Sequence, residues 1–160
     1  MLIRRVAYAI IAGASCVHIV QEYLGELILL VGPSMLPTLN SNSSGDVVVM
    51  ERITRHLGTL QRGDITIARS PQDPNSLICK RIAAMAGDIV ETGPEEEDYI
   101  KVPKGHLWLL GDNAEDSTDS RDYGSVPYGL VKGRVCFKLW PPSEFGRIES
   151  PKRTSKVQNS

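Results

Sequence analysis

Leu130-Val131-Lys132-Gly133-Arg134-Val135-Cys136-Phe137-Lys138-Leu139-Trp140 alternates along its length and stops at Pro141-Pro142. A period of two marks a half-buried β-strand, because successive side chains leave opposite faces. Proline lacks the N–H that a strand interior needs, so the pair at 141 and 142 ends the run. Working back toward the N-terminus, the same type of run recurs between turn residues. Asp46 to Glu51 is one, and Asp64 to Arg69 follows an Arg62-Gly63 turn. Leu77 to Met85, Gly87 to Glu91 and His106 to Leu110 complete the set. After residue 31 no segment holds a helical period beyond two turns. Short strands at this spacing predict an all-β fold, a compact barrel or sandwich. Glu91 to Asp98 and Asp112 to Asp122 read as loops, the first acidic, the second rich in Asp, Ser and Asn.

The 160 residues suffice for one domain with a modest core. Eighteen basic side chains balance nineteen acidic ones, for a net charge of −1. That balance argues against a nucleic-acid binder, which carries a basic excess. Cys16, Cys79 and Cys136 are too scattered for a disulfide framework, and with His18, His56 and His106 they form no metal-ligand spacing. An enzyme of this composition is expected to work without metal.

The two ends differ from the middle. Arg4 and Arg5 precede an apolar run from Val6 to Val20, broken by Ser15 and His18. As a helix it spans about 22 Å, against a bilayer core of about 30 Å. Leu24 and Leu27 to Val31 could extend it, though Gln21, Glu22 and Glu26 intervene. A cleaved signal lacks a small-residue exit site here, and a buried globular helix would be amphipathic. Residues 1–30 are therefore read as a membrane anchor, with the arginines on the side of synthesis or import. Residues 31–149 form the folded domain. Residues 150–160, polar and basic, read as a mobile tail.

Gly32-Pro33-Ser34-Met35-Leu36-Pro37-Thr38 is the most informative short segment. Two prolines fix φ around Ser34, and such a turn can hold a nucleophilic hydroxyl in one orientation. On this segment alone, a proline-rich entry loop in which Ser34 caps a turn is the simpler reading. A serine needs a base, and no nucleophile-elbow sequence accompanies the scarce histidines. The other base for serine is a lysine of lowered pKa. Lys80, on the strand face of Ile78 and Ile82, is the candidate, because an apolar setting favours the neutral amine. Taken singly, Lys80 also reads as an edge-strand lysine reaching water.

Four boxes in order change the balance. They are Ser34-Met35-Leu36-Pro37-Thr38, Arg62-Gly63-Asp64-Ile65, Lys80-Arg81-Ile82 with Gly87-Asp88, and Gly111-Asp112-Asn113 leading to Ser117-Thr118-Asp119-Ser120-Arg121. Together they resemble the type I signal peptidase family of Ser-Lys proteases, and most of all its compact mitochondrial inner-membrane branch. Only thirty residues separate Lys80 from Gly111, so the second domain of bacterial members is almost absent. The resemblance implies a signal-peptidase-like β-barrel or sandwich on an N-terminal membrane helix. It implies that Ser34 attacks the scissile carbonyl and Lys80 serves as base, with no metal and no cofactor. Ser117 matches the position that orients the lysine, and Asp119 and Arg121 match a pair that shapes the loop. A carboxylate beside Lys80 would raise its pKa, so Asp119 is expected to face Arg121.

Substrate-binding positions carried over are Val31, Met35, Leu36, Ile78 and Cys79. Gly32 stands where many bacterial members place a second oxyanion donor; the hole is either thinner or completed by another donor or a water. The branch implies presequence-bearing precursors as substrates, contact with membrane lipid, and a heterodimer with a related second protease subunit. It implies location at the mitochondrial inner membrane with the catalytic domain facing the intermembrane space. Thirteen positions from Gln21 to Ser34 keep the hydroxyl near the membrane surface. Two rivals are weighed. A self-cleaving Ser-Lys repressor-type protease needs an upstream DNA-binding domain and an exposed cut site, whereas Ala12-Gly13 lies in the apolar run. A non-catalytic scaffold subunit has no need of the supporting box. A calcium loop from Asp116 fails on Arg121 and Pro127, where glycine and glutamate belong.

Overall fold

The computed structural model describes residues 2–19, 25–41, 44–92 and 99–148. Helix α1 runs Leu2–Ile19. The strands are β1 (Glu26–Leu30), β2 (Asp46–Glu51), β3 (Ile65–Arg69), β4 (Leu77–Met85), β5 (Ile89–Glu91), β6 (Tyr99–Lys101), β7 (His106–Leu110), β8 (Val126–Pro127), β9 (Val131–Trp140) and β10 (Gly146–Arg147). Two single-turn helices, α2 (Ile53–His56) and α3 (Ser120–Tyr123), sit between strands. Apart from such single turns the folded domain is built of strands, and the expected runs at 46–51, 64–69, 77–85, 87–91, 106–110 and 130–140 each contain one.

One antiparallel sheet has the order β1-β2-β9-β3-β4-β7-β8, with β10 beside β9. β5 and β6 form a separate hairpin. The alternating run around Val131 becomes the longest strand and pairs with both β2 and β3. Gly133 makes that possible: a Cβ there would stand 2.4 Å from the Glu51 carbonyl oxygen and 2.8 Å from the Met50 side chain. β3 is buried on both faces. Ile65 and Ile67 join Leu30, Met35, Leu39, Val48, Met50 and Val135 in one core, and Ala68 joins Ile82, Leu107, Leu109, Val126 and Val131 in a second. Each fully buried aliphatic side chain contributes about 1.5–3 kcal/mol. Three strands lie between β1 and β4, yet both line one cavity. The sheet therefore curls back on itself.

The sheet begins earlier than expected. Residues 26–30, read as the end of the anchor, form β1 and pair Glu26 with Met50 through Leu30 with Asp46. Alternation explains it: Ile28 and Leu30 turn inward while Leu27 and Leu29 stay exposed. α1 exposes its described side chains, Ile3, Ile10 and Ile11 among them. Among the described residues no helix is long and apolar enough to cross a membrane. The polar break at 21 and 22, most of the acidic loop and the tail at 150–160 lie outside the described residues.

Candidate active site

The loop from Gly32 to Asn40 carries Ser34 and is held from within and from outside. Internally, Leu36 N–H donates to the Pro33 carbonyl at 3.1 Å, Leu39 N–H to Met35 at 2.9 Å. Met35 and Leu39 drop into the core and plug the loop to the sheet. At its far end Asn40 Nδ2 donates to the Gly32 carbonyl at 2.8 Å, and the Asn40 N–H donates to Asp46 Oδ2 at 2.8 Å. Asp46 is buried and paired with Lys138 at 2.7 Å. From the opposite wall, Asn113 N–H donates to the Ser34 carbonyl at 3.0 Å and Asn113 Nδ2 to the Pro33 carbonyl at 3.2 Å. The backbone of Ser34 is thus clamped between two loops.

Lys80 lies on β4, opposite Thr66 of β3, and only 4 % of it is exposed. Its Nζ donates to Ser117 Oγ at 2.8 Å, and Ser117 Oγ donates to Asp119 Oδ2 at 2.8 Å. Burial lowers the Lys80 pKa; the Asp119 charge opposes that, and Arg121 adds to it. Asp119 is fully buried. Burial alone would raise its pKa, but hydrogen bonds from Arg121, Gly111 N–H and Ser117 hold the carboxyl well below the usual range. Arg121 reaches it through Nε at 2.9 Å and Nη2 at 2.8 Å. Asp119 also caps α3, with Asp122 closing the box on the Asp119 N–H. Asp119 therefore pairs with Arg121 and acts on Lys80 through the Ser117 hydroxyl between them.

Ser34 and Lys80 line one cavity of about 270 Å³, between β1 and β4. Val31, Met35, Ile78 and Cys79 line it too. Leu36, the fifth expected substrate contact, is not part of that lining; the turn closed on Pro33 carries the chain away after Met35. Burial pushes the Cys79 thiol up to about 12, so it is an inert wall residue. Gly111 fits the two halves together. A Cβ on it would lie 2.2 Å from Ser117 Oγ and 2.6 Å from the Ser34 carbonyl oxygen.

Arg81, the neighbour of Lys80, is a residue the sequence reading left without a role. Its guanidinium grips Asp112 bidentately, Nε to Oδ1 at 2.7 Å and Nη2 to Oδ2 at 2.6 Å. It also donates to the Gly63 carbonyl at 2.7 Å and to Thr38 Oγ1 at 3.4 Å. One side chain thus ties together all four sequence boxes. Their order along the chain was the available signal; the contact needed the fold.

The site sets a serine side chain and a buried amine on one cavity. The family described as signal peptidase, peptidase S26, matches residues 3–97 and 90–140. The chain belongs to the S26 signal peptidases. This S26 protein is 48% identical over 150 residues to human mitochondrial inner membrane protease subunit 1, covering 92% of this chain and 88% of that one. It is 40% identical to the Schizosaccharomyces pombe subunit 1 over 139 residues, 86% and 87% of the two chains. It is also 41% identical to the Danio rerio subunit 2 over 132 residues, 81% of this chain and 72% of the relative. As an S26 member the protein is a serine peptidase of the signal-peptidase type.

Proposed function

We propose that this S26 peptidase uses Ser34 as nucleophile and Lys80 as general base to remove sorting presequences from precursors bound for the intermembrane space. The supporting observation is that a buried Lys80, hydrogen-bonded to Ser117, opens on the same cavity as Ser34. Neutral Lys80 donates one N–H to Ser117 and turns its lone pair to the serine. Ser34 Oγ attacks the scissile carbonyl carbon as its proton passes to Nζ. The tetrahedral oxyanion is met by the Ser34 N–H. The C–N bond then breaks, the leaving amine takes the proton from Lys80, and an acyl ester remains on Ser34. Water gives a proton to Lys80 and attacks the ester; the new acid leaves, and the proton returns to Ser34.

Substrate enters as an extended strand. Among the described residues β1 has a free edge, and β4 pairs with β7 only from Arg81 onward, so residues 77–80 have one too. Both edges border the cavity, and a peptide laid between them gains backbone hydrogen bonds on either side. α1 supports a membrane-anchored reading: its apolar side chains find no partner in the described chain, and it ends a few residues before the sheet. The names of the relatives, subunits 1 and 2 of a mitochondrial inner membrane protease, support a location at that membrane; the proposal adds a domain facing the intermembrane space, in contact with lipid and paired with a related second subunit. Ser34→Ala and Lys80→Met are each expected to abolish cleavage of a presequence substrate with the fold intact. New N-termini read by mass spectrometry test it, and full activity in Lys80→Met removes Lys80 from the mechanism.

A further inference from the structure

The catalytic cavity does not end at Ile28 and Leu77. A second cavity of about 350 Å³ shares Ile28, Ile67 and Leu77 with it, so the two form one trough. The shared floor is apolar, but the far end is not: Arg52, Arg69 and Lys132 stand there with one carboxylate in the lining, Glu26. Glu26 pairs with Arg52 at 2.8 Å. Asp73, next to Pro74 in the chain, accepts from the Asn75 N–H and the Ser76 hydroxyl and keeps its own charge, so three cations face two carboxylates at this end. Arg69 spends one N–H on the Pro74 carbonyl, which leaves its charge in place. Among the described residues no carboxylate pairs with Arg69 or Lys132.

We propose that this far end is a subsite for an acidic side chain of the substrate, three to five residues from the scissile bond. The proposal rests on the endopeptidase reading above and adds a specificity to it. The spacing follows from strand geometry. Leu77 lies three residues before Lys80, about 10 Å at the rise of a strand, and Arg69 sits opposite Leu77. A peptide extended along β4 from the Ser34 hydroxyl brings its third to fifth residue over the basic end. A carboxylate there meets two cations at the mouth of an apolar trough, where a lysine would be repelled.

The test uses the full-length protein in detergent micelles and presequence peptides of one cut site. Asp, Ala or Lys is placed singly three to six residues from that site, on each side in turn. Expected is a kcat/KM ratio of Asp to Ala peptide of about two- to five-fold at one position within the predicted span, falling with added salt. Lys132→Gln reduces that ratio and Lys132→Glu inverts it in favour of the Lys peptide. Equal ratios at every position, or an Asp preference unchanged in Lys132→Glu, overturn the subsite while the Ala peptide is still cut. An uncut Ala peptide overturns the endopeptidase reading and the subsite with it.

Discussion

Lys80 is held where its charge is unwelcome, and that has a thermodynamic consequence. Its folded-state pKa is lowered chiefly by burial, below the free-lysine value of about 10.4. The unfolded chain therefore binds a proton that the folded chain gives up, and stability falls as pH drops from the free-lysine value through the folded one. Lys80→Met removes that loss. The variant is expected to be inactive yet to melt higher than the native protein at neutral pH, with a flatter dependence on pH; a lower Tm contradicts a dry Lys80. Asp119 pushes the other way, since its charge favours the ammonium. Asp119→Asn is expected to move the acidic limb of kcat/KM to lower pH while reducing the maximum, because the Arg121 clamp is lost. A shift to higher pH would contradict the Ser117-mediated coupling. Gly111 tolerates nothing larger. Gly111→Ala is expected to cut activity about 10²-fold by parting Ser117 from the Ser34 loop, checked by kinetics on a preserved circular dichroism spectrum.

At the level of elements, the Ser34 loop owes its shape to plugs and clamps rather than to regular structure. Met35 and Leu39 are its hydrophobic plugs. Met35→Ala is expected to cost about 2–5 kcal/mol in denaturant unfolding and to lower kcat, since it removes a plug of the loop that carries Ser34. Arg81 clamps the other side. Arg81→Lys keeps the charge but loses the two-pronged grip on Asp112 and the reach to Gly63. Activity is expected to fall with KM little changed, because the lost contacts lie behind the cavity rather than in it. A rise in KM alone would assign Arg81 to substrate binding instead.

For the whole molecule, the curl of the sheet makes the site. It brings the edges of β1 and β4 to one trough. Intact protein is expected to stay with the membrane pellet on carbonate extraction; release into the supernatant contradicts an anchor at α1.

The strands at 46–51, 65–69, 77–85 and 131–140 were legible because a period of two is a local property of the chain. The four boxes were legible because residue type and order survive without geometry, and they point to Ser34, Lys80, Ser117, Asp119 and Arg121 as the candidates. β1 was not: Leu27 to Leu30 is apolar in either a helix or a strand, and only Val47 to Met50 alongside it settles which. The Arg81 clamp, the Gly111 contact and the basic end of the trough are likewise products of tertiary structure. Each joins residues far apart in the chain, and no local pattern encodes a distance that exists only after the sheet has curled.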